Sequence, residues 1–75
     1  MTSDKEKEYT ARTTMKLMIE KYAKKNSLSY EDSLLEFCST PVYNLLFDFS
    51  SGLWTQGPDY LLCTFEKFKS KNKQL

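Results

Sequence analysis

Residues 45–62, LLFDFSSGLWTQGPDYLL, limit the folds open to this chain more than any other stretch, because turn-forming residues separate two apolar runs. Gly52 and Gly57 allow the positive φ values that tight turns require. Pro58 suits the first position of a helix, where an N–H group would have no partner. The pattern therefore predicts an irregular, glycine-containing link over residues 50–57, followed by a helix.

The N-terminal third has the period of an amphipathic helix. Apolar side chains recur three and four residues apart, and most charged side chains fall between them. The apolar positions are Ala11, Met15, Met18, Ile19, Tyr22 and Ala23. Asn26 tolerates the left-handed conformation that ends many helices. We predict a helix over residues 4–25, with residues 1–8 frayed because little apolar surface precedes Ala11.

A second helix start follows closely. Ser29, with Asp32 three residues later, resembles a capping box, in which side chains satisfy the free amides of the first turn. We predict a helix over residues 30–38. Its inward side chains are expected to be Leu34, Leu35 and Cys38, with Phe37 at the margin.

A third helix start precedes the link. Thr40 and Pro41 place a hydroxyl at the cap and proline at the first helical position, which predicts a helix over residues 41–48. Its apolar side is expected to hold Val42, Leu45, Leu46 and Phe49. The alternative is a β-hairpin over residues 42–56, because aromatic and β-branched residues are frequent there. Neither arm of such a hairpin alternates cleanly between apolar and polar positions, so we favour the helix.

The last helix is predicted over residues 58–69, and residues 70–75 are expected to fray. Its apolar stripe is Leu61, Leu62, Phe65 and Phe68. A chain of 75 residues is too short for two hydrophobic cores, so residues 1–75 should form a single domain. We expect an all-α fold, a compact bundle of about four short helices over residues 4–25, 30–38, 41–48 and 58–69.

The absence of histidine narrows the function most. Without it the chain lacks the usual general base near neutral pH and the commonest zinc ligand besides cysteine. Cys38 and Cys63 show no CxxC spacing, and we expect them to be small, partly buried thiols. No carboxylate spacing resembles a calcium loop. The sequence therefore predicts a non-enzymatic protein with no metal, no cofactor and no small-molecule ligand.

The distribution of apolar residues also bears on location. No apolar run approaches the roughly 20 residues that span a bilayer. The N-terminal residues are polar and of mixed charge, where a signal peptide would be apolar. We expect a cytoplasmic protein that makes no membrane contact.

Charge is segregated along the chain, although the net charge is only +1. Residues 1–28 carry seven basic and four acidic side chains, residues 29–60 carry five acidic and no basic ones, and residues 61–75 carry four basic and one acidic. Either the basic ends offset the acidic middle within the fold, through exposed ion pairs worth about 0 to 1 kcal/mol each, or the middle faces a basic partner.

A DNA-associated regulator that uses the basic ends is the alternative function. It would rely on Lys21, Lys24 and Lys25. Nucleic-acid binding is the weaker prediction, because the chain has no strong basic excess and Arg12 is its only arginine.

Aromatic residues are crowded into the second half of the chain, and rings that a small core cannot bury are where partners attach. We combine these rings with the acidic middle to define candidate protein contacts. They are Glu31, Glu36, Asp48, Phe49, Trp54 and Asp59. Phe49 and Trp54 are the rings expected to be partly exposed. The favoured function is a protein–protein interaction or regulatory module that binds another protein or a second copy of itself.

The order of features over residues 17–65 resembles a family of short, all-helical domains of unknown function from Gram-positive bacteria. Its motifs are I-E-x-Y-A, L-S-x-E-x-x-L-x-x-F, Y-x-L-L and L-[HW]-T-x-G-x-x-Y. The matching residues are Ile19, Glu20, Tyr22, Ala23, Leu28, Ser29, Glu31, Leu34 or Leu35, Phe37, Tyr43, Leu45, Leu46, Leu53, Trp54, Thr55, Gly57 and Tyr60.

The resemblance implies a cytoplasmic, non-enzymatic helical domain. Many relatives carry histidine where this chain has Trp54, so no histidine-dependent role is implied here. Some relatives are encoded beside toxin-like proteins, which implies a toxin-neutralising or regulatory role.

Overall fold

The computed structural model describes residues 4–73, which form four α-helices and two single-turn 3-10 helices. The helices are α1 (Asp4–Asn26), α2 (Tyr30–Cys38), α3 (Pro41–Phe47) and α4 (Pro58–Lys73), and the 3-10 turns span Phe49–Ser51 and Leu53–Thr55. The predicted all-α bundle is confirmed. Residues 4–73 contain no strand, so the hairpin alternative is wrong. None of the helices described is both long and apolar enough to cross a bilayer.

The end of α1 lies one residue beyond its predicted position. Ser27, with φ 55°, adopts the left-handed conformation that we had assigned to Asn26. The Leu28 N–H then donates to the carbonyl of Ala23 at 2.9 Å, which closes the helix end as in a Schellman motif. Asn26 stays helical, and its side chain donates to the carbonyl of Tyr22 at 2.9 Å.

The other helix starts follow the local sequence signals. The Ser29 hydroxyl accepts a hydrogen bond from the Asp32 N–H at 3.0 Å and so caps α2. Pro41 and Pro58 each open a helix, as predicted. Thr40 occupies the cap position of α3 but makes no capping bond, since its hydroxyl donates to the Phe37 carbonyl.

The two ends of the chain are helical over the residues that the structure describes. Residues 4–8, for which we predicted fraying, belong to α1, and α4 continues to Lys73 rather than ending at residue 69. The rest of the predicted frayed segments, residues 1–3 and 74–75, lies outside the described residues.

The core forms where α1 packs against α4 and α2. Its fully buried large side chains include Phe37, Phe65, Met18, Ile19, Leu46 and Leu61. Phe65 lies at the centre of the ring contacts: its centroid is 4.8 Å from that of Tyr22 and 5.2 Å from that of Phe37. Tilted and edge-to-face pairs of this kind stabilise a core beyond the area they bury.

The buried face of α2 differs from the predicted one. Ser33 and Phe37 are fully buried, whereas Leu35 and Cys38 face outward and Leu34 is only half-buried. Burying Ser33 costs little, because its hydroxyl donates to the Ser29 carbonyl at 2.9 Å. Burying Phe37 gains the edge-to-face contact with Phe65, so the helix is rotated to place the ring inside.

The link between α3 and α4 is irregular, as predicted, but it contains the two 3-10 turns. Gly52, with φ 77°, stands between them, and Gly57, with φ 87°, precedes α4. L-residues other than glycine rarely adopt these conformations, which explains both glycines. The Asp48 carboxylate accepts from the N–H of Ser50 at 3.2 Å and caps the first turn.

Candidate interaction surface

Large apolar side chains remain exposed in the described part of the chain. They are Tyr9, Leu17, Leu28, Tyr30, Leu35, Leu45 and Tyr60. Leu35 is 66% exposed and Tyr60 is 55% exposed, although both belong to well-formed helices. Exposed apolar side chains are informative when they cluster, and Leu28, Leu35, Leu45 and Tyr60 line grooves on the side of the bundle formed by α2, α3 and α4.

The first groove, which we call the α3–α4 groove, has a volume of about 680 Å³. It is lined by Pro41, Val42, Leu45, Tyr60, Cys63, Thr64, Lys67, Phe68, Ser70 and Lys71. Leu45 comes from α3, and Tyr60 and Phe68 come from α4, so the middle of the groove is apolar. Lys67 and Lys71 lie one helical turn apart on α4 and add positive charge to it.

The second groove, the α2–α4 groove, has a volume of about 790 Å³. It is lined by Leu28, Asp32, Leu35, Glu36, Ser39, Thr40, Phe68 and Lys69. Phe68 lines both grooves, which makes them neighbours on one continuous surface. We call this surface the apolar face and define it by Leu35, Val42, Leu45, Tyr60 and Phe68.

Lys69 of α4 is held at the edge of the apolar face by side chains of α1 and α2. Its ammonium donates to Glu36 of α2 at 2.5 Å and also to the hydroxyl of Tyr22 of α1. The Tyr22 hydroxyl in turn donates to Glu36 at 3.2 Å. The Lys69 ammonium also lies 4.8 Å from the centre of the Tyr22 ring, within reach of a cation–π attraction. These contacts fix α4 against α1 and α2.

The contacts of Lys69 predict a pH-dependent contribution to stability. Burial by itself would lower the pKa of Lys69, but hydrogen bonds and charge interactions with Glu36 and Tyr22 outweigh it and leave the pKa raised above 10.5. The charged Lys69 ammonium therefore contributes its full stabilisation below pH 10.5. This stabilisation is lost as pH rises through the pKa of Lys69 in the folded state. Since Glu36 is 40% exposed, we expect Lys69→Met to lower the free energy of unfolding by only about 0.5 to 1 kcal/mol at neutral pH.

Urea unfolding of wild type and Lys69→Met at several pH values checks this prediction. The difference in unfolding free energy between them should shrink above pH 10.5. Lys71→Met is the control, because Lys71 has no ion pair among the described residues and should show no such trend. If the difference in unfolding free energy between wild type and Lys69→Met stays constant at alkaline pH, the loss of stability comes from packing of the aliphatic part of the side chain and not from its charge.

Ion pairs between the basic ends and the acidic side chains run across the fold. Lys21 pairs with Asp59, Lys69 pairs with Glu36, and Lys25 Nζ lies 2.7 Å from Glu66 Oε2. The first two pairs offset part of the acidic middle internally. Because at least one member of each pair is well exposed, the pairs contribute little stability, but they neutralise charge.

The six candidate contact residues are not brought together into one patch. Glu36 and Asp59 are engaged in the ion pairs just described, and Asp48 caps the 3-10 turn. Glu31 is exposed near the start of α2 and has no ion pair in the described part of the chain. Only Glu36 lines a groove of the apolar face.

Phe49 and Trp54 form a pair of their own in the link. Both are half-buried and pack against the core, and their rings meet edge-to-face with centroids 6.1 Å apart. The Trp54 indole N–H donates to the Phe49 carbonyl at 3.0 Å. Trp54 therefore holds the two 3-10 turns against each other as well as covering the core.

Trp54→Ala is expected to lower the free energy of unfolding by about 2 kcal/mol, because it removes a half-buried ring and the hydrogen bond to Phe49. Trp54→Phe keeps a ring but loses the N–H donor, and it should cost about 1 kcal/mol. Urea unfolding followed by far-ultraviolet circular dichroism measures both. An unchanged stability together with lost partner binding would instead identify Trp54 as a contact residue.

The two thiols are more exposed than we predicted. Cys38 and Cys63 are both exposed and unpaired, which corrects the expectation of partial burial. Cys63 faces the α3–α4 groove, because Leu61 and Phe65 take the inward side of α4. Although Cys38 is exposed as a whole residue, desolvation of its thiol raises its pKa, which disfavours the reactive thiolate.

The chain was compared with protein families, curated proteins and solved structures. No family model, curated protein or solved structure matches the chain.

Sequence reasoning missed most of this face, although the sequence carries a signal for it. Leucines occur in adjacent pairs at 34–35, 45–46 and 61–62. Neighbouring residues of a helix point about 100° apart, so a narrow core-facing stripe cannot bury both members equally. Leu35 and Leu45 are the members that the core leaves outside.

Proposed function

We propose that this chain is a cytoplasmic, non-enzymatic module that binds another protein chain through its apolar face. The observation that supports the proposal best is the clustering of Leu35, Leu45 and Tyr60 around two adjoining grooves. Exposed apolar side chains that line concave surfaces lower the free energy of association when a partner covers them. Most of the apolar face belongs to the acidic middle, residues 29–60, but of the six predicted contact residues only Glu36 lines its grooves.

The family resemblance supplies one kind of partner. A toxin-like protein would be neutralised if an apolar segment of it were held in one of these grooves, in the manner of a helix bound in a groove. This role depends on the resemblance, whereas the proposed surface depends only on the geometry of the described residues.

The alternative of a DNA-associated regulator has less support. Two of the three lysines on which it relies, Lys21 and Lys25, are neutralised by Asp59 and Glu66. Lys24 remains exposed on α1. Loss of a steeply salt-dependent affinity for duplex DNA on Lys24→Ala would favour this alternative over protein binding.

The proposed function is tested by affinity capture from cells that make the chain. Wild type is compared with Leu45→Asp, which places a charge in the α3–α4 groove, and with Tyr9→Ser, which changes an exposed ring outside the apolar face. We expect a protein, which can be the chain itself, to bind wild type and Tyr9→Ser and to be lost with Leu45→Asp. A bound protein that all three variants retain equally, or no bound protein at all, would refute the proposal.

A further inference from the structure

A strongly exposed part of the apolar face adjoins a recessed part. On α2, Leu35 is the most exposed aliphatic side chain that the structure describes, and Glu31 and Asp32 lie one turn before it. We call these three residues the α2 ridge. The recessed part is the α3–α4 groove, with Leu45 and Tyr60 in its lining.

The charges of these two parts are opposite. Glu31 and Asp32 form no ion pair among the described residues, and neither do Lys67 and Lys71 of the groove. Lys69, by contrast, forms an ion pair with an acidic side chain of the same chain. The ridge is thus apolar with free acidic groups, and the groove is apolar with free basic groups.

We propose that the occupant of the apolar face is a second copy of this chain, with the α2 ridge of each copy seated in the α3–α4 groove of the other. This inference rests on the proposed function and names its partner. A second copy is favoured over an unrelated protein because one chain carries both complementary parts, in apolar character and in charge.

The proximity of the α2 ridge to the α3–α4 groove determines the symmetry of the proposed dimer. Phe68 lines the groove that contains Leu35 as well as the α3–α4 groove, so the two parts adjoin on one side of the bundle. A two-fold axis beside Phe68 brings both ridge–groove contacts together at once, which closes the assembly as a dimer instead of an open chain. Because charged side chains on both parts face each other across the interface, the dimer should weaken as salt rises.

Charge reversal in two separate variants tests the pairing. Lys67→Glu with Lys71→Glu makes the groove acidic, and Glu31→Lys with Asp32→Lys makes the ridge basic. Each double variant alone faces like charge across the interface and should dimerise at least about tenfold more weakly than wild type. An equal mixture of the two should recover the dimer, because an acidic ridge then meets a basic groove and a basic ridge meets an acidic groove.

Analytical ultracentrifugation over a concentration series up to the millimolar range measures these states. Reversing the charges in the first turn of α2 could unfold that helix, so a second ridge variant is needed. Leu35→Ala serves, because the fold should tolerate a substitution at this exposed position. Tyr9→Ser is the control and should dimerise as wild type does. A monomeric wild type, unweakened double variants, an unweakened Leu35→Ala or a mixture that stays monomeric would each overturn the inference.

The outcomes separate this inference from the proposed function. A monomeric chain that still binds another protein, with the binding lost on Leu45→Asp, would end the dimer and leave the apolar face as the binding surface. A dimer that Leu45→Asp does not weaken would remove the apolar face from both proposals.

Discussion

Phe65→Ala is expected to lower the free energy of unfolding by about 3 to 5 kcal/mol, because it removes a fully buried ring and leaves a cavity. The loss also ends the ring contacts with Tyr22 and Phe37, which join α4 to α1 and α2. A domain of this length typically has a total stability of roughly 4 to 11 kcal/mol. If the wild-type stability lies near the lower end of this range, the variant will be partly or wholly unfolded at physiological temperature.

Thermal unfolding followed by circular dichroism measures the effect, and the midpoint should fall by at least about 12 °C. Tyr60→Ala is the matched control, since this ring lies on the same helix but is 55% exposed, and its loss should cost less than about 1 kcal/mol. Equal shifts for the two variants would contradict the assignment of Phe65 to the centre of the core.

Leu46→Asp is expected to unfold the chain, whereas the same substitution at the adjacent Leu45 should leave it folded. Leu46 is fully buried on α3, so a carboxylate there must lose its hydration without any partner, which costs more than about 4 kcal/mol. Leu45 is 44% exposed, and its carboxylate would keep much of its hydration. Lys67 and Lys71 line the same groove as Leu45 and offer favourable charge.

Circular dichroism and amide dispersion in two-dimensional NMR spectra distinguish the two outcomes. Leu46→Asp should show the spectrum of an unfolded chain, and Leu45→Asp should retain the helical spectrum within about 1 kcal/mol of wild-type stability. A folded Leu46→Asp would mean that α3 is rotated differently about its axis, and the apolar face would then need a different set of residues.

Helix positions could be predicted because their signals are local. Ser29 caps α2 and Pro41 and Pro58 open α3 and α4 through contacts with their own neighbours in sequence. The errors lie at helix ends: the left-handed residue after α1 is Ser27 instead of Asn26, α3 ends one residue early, and α4 continues to Lys73. Because a few adjacent residues decide where these helices begin, tertiary contacts have little influence on their positions.

The rotation of α2 could not be predicted, because it depends on a residue far along the chain. α2 has nine residues, and its apolar side chains lie close together near its C-terminal end, so the helical period does not single out one face. The contact between Phe37 and Phe65, 28 positions apart, decides which side is buried. That choice also places Leu35 outside, so the candidate surface is a consequence of packing in the core.

The pairing of α1 with α4 constrains the order in which the chain folds. Contacts such as Tyr22 with Phe65 and Lys25 with Glu66 join residues that are about 40 positions apart, so closing this pair requires ordering the long segment between its two helices. α2 and α3 can form locally, but α4 supplies the fully buried Leu61 and Phe65 of the core. The rate-limiting step of folding should therefore be the meeting of the first helix with the last, and a fragment that ends before Pro58 should lack the part of the core that Leu61 and Phe65 fill.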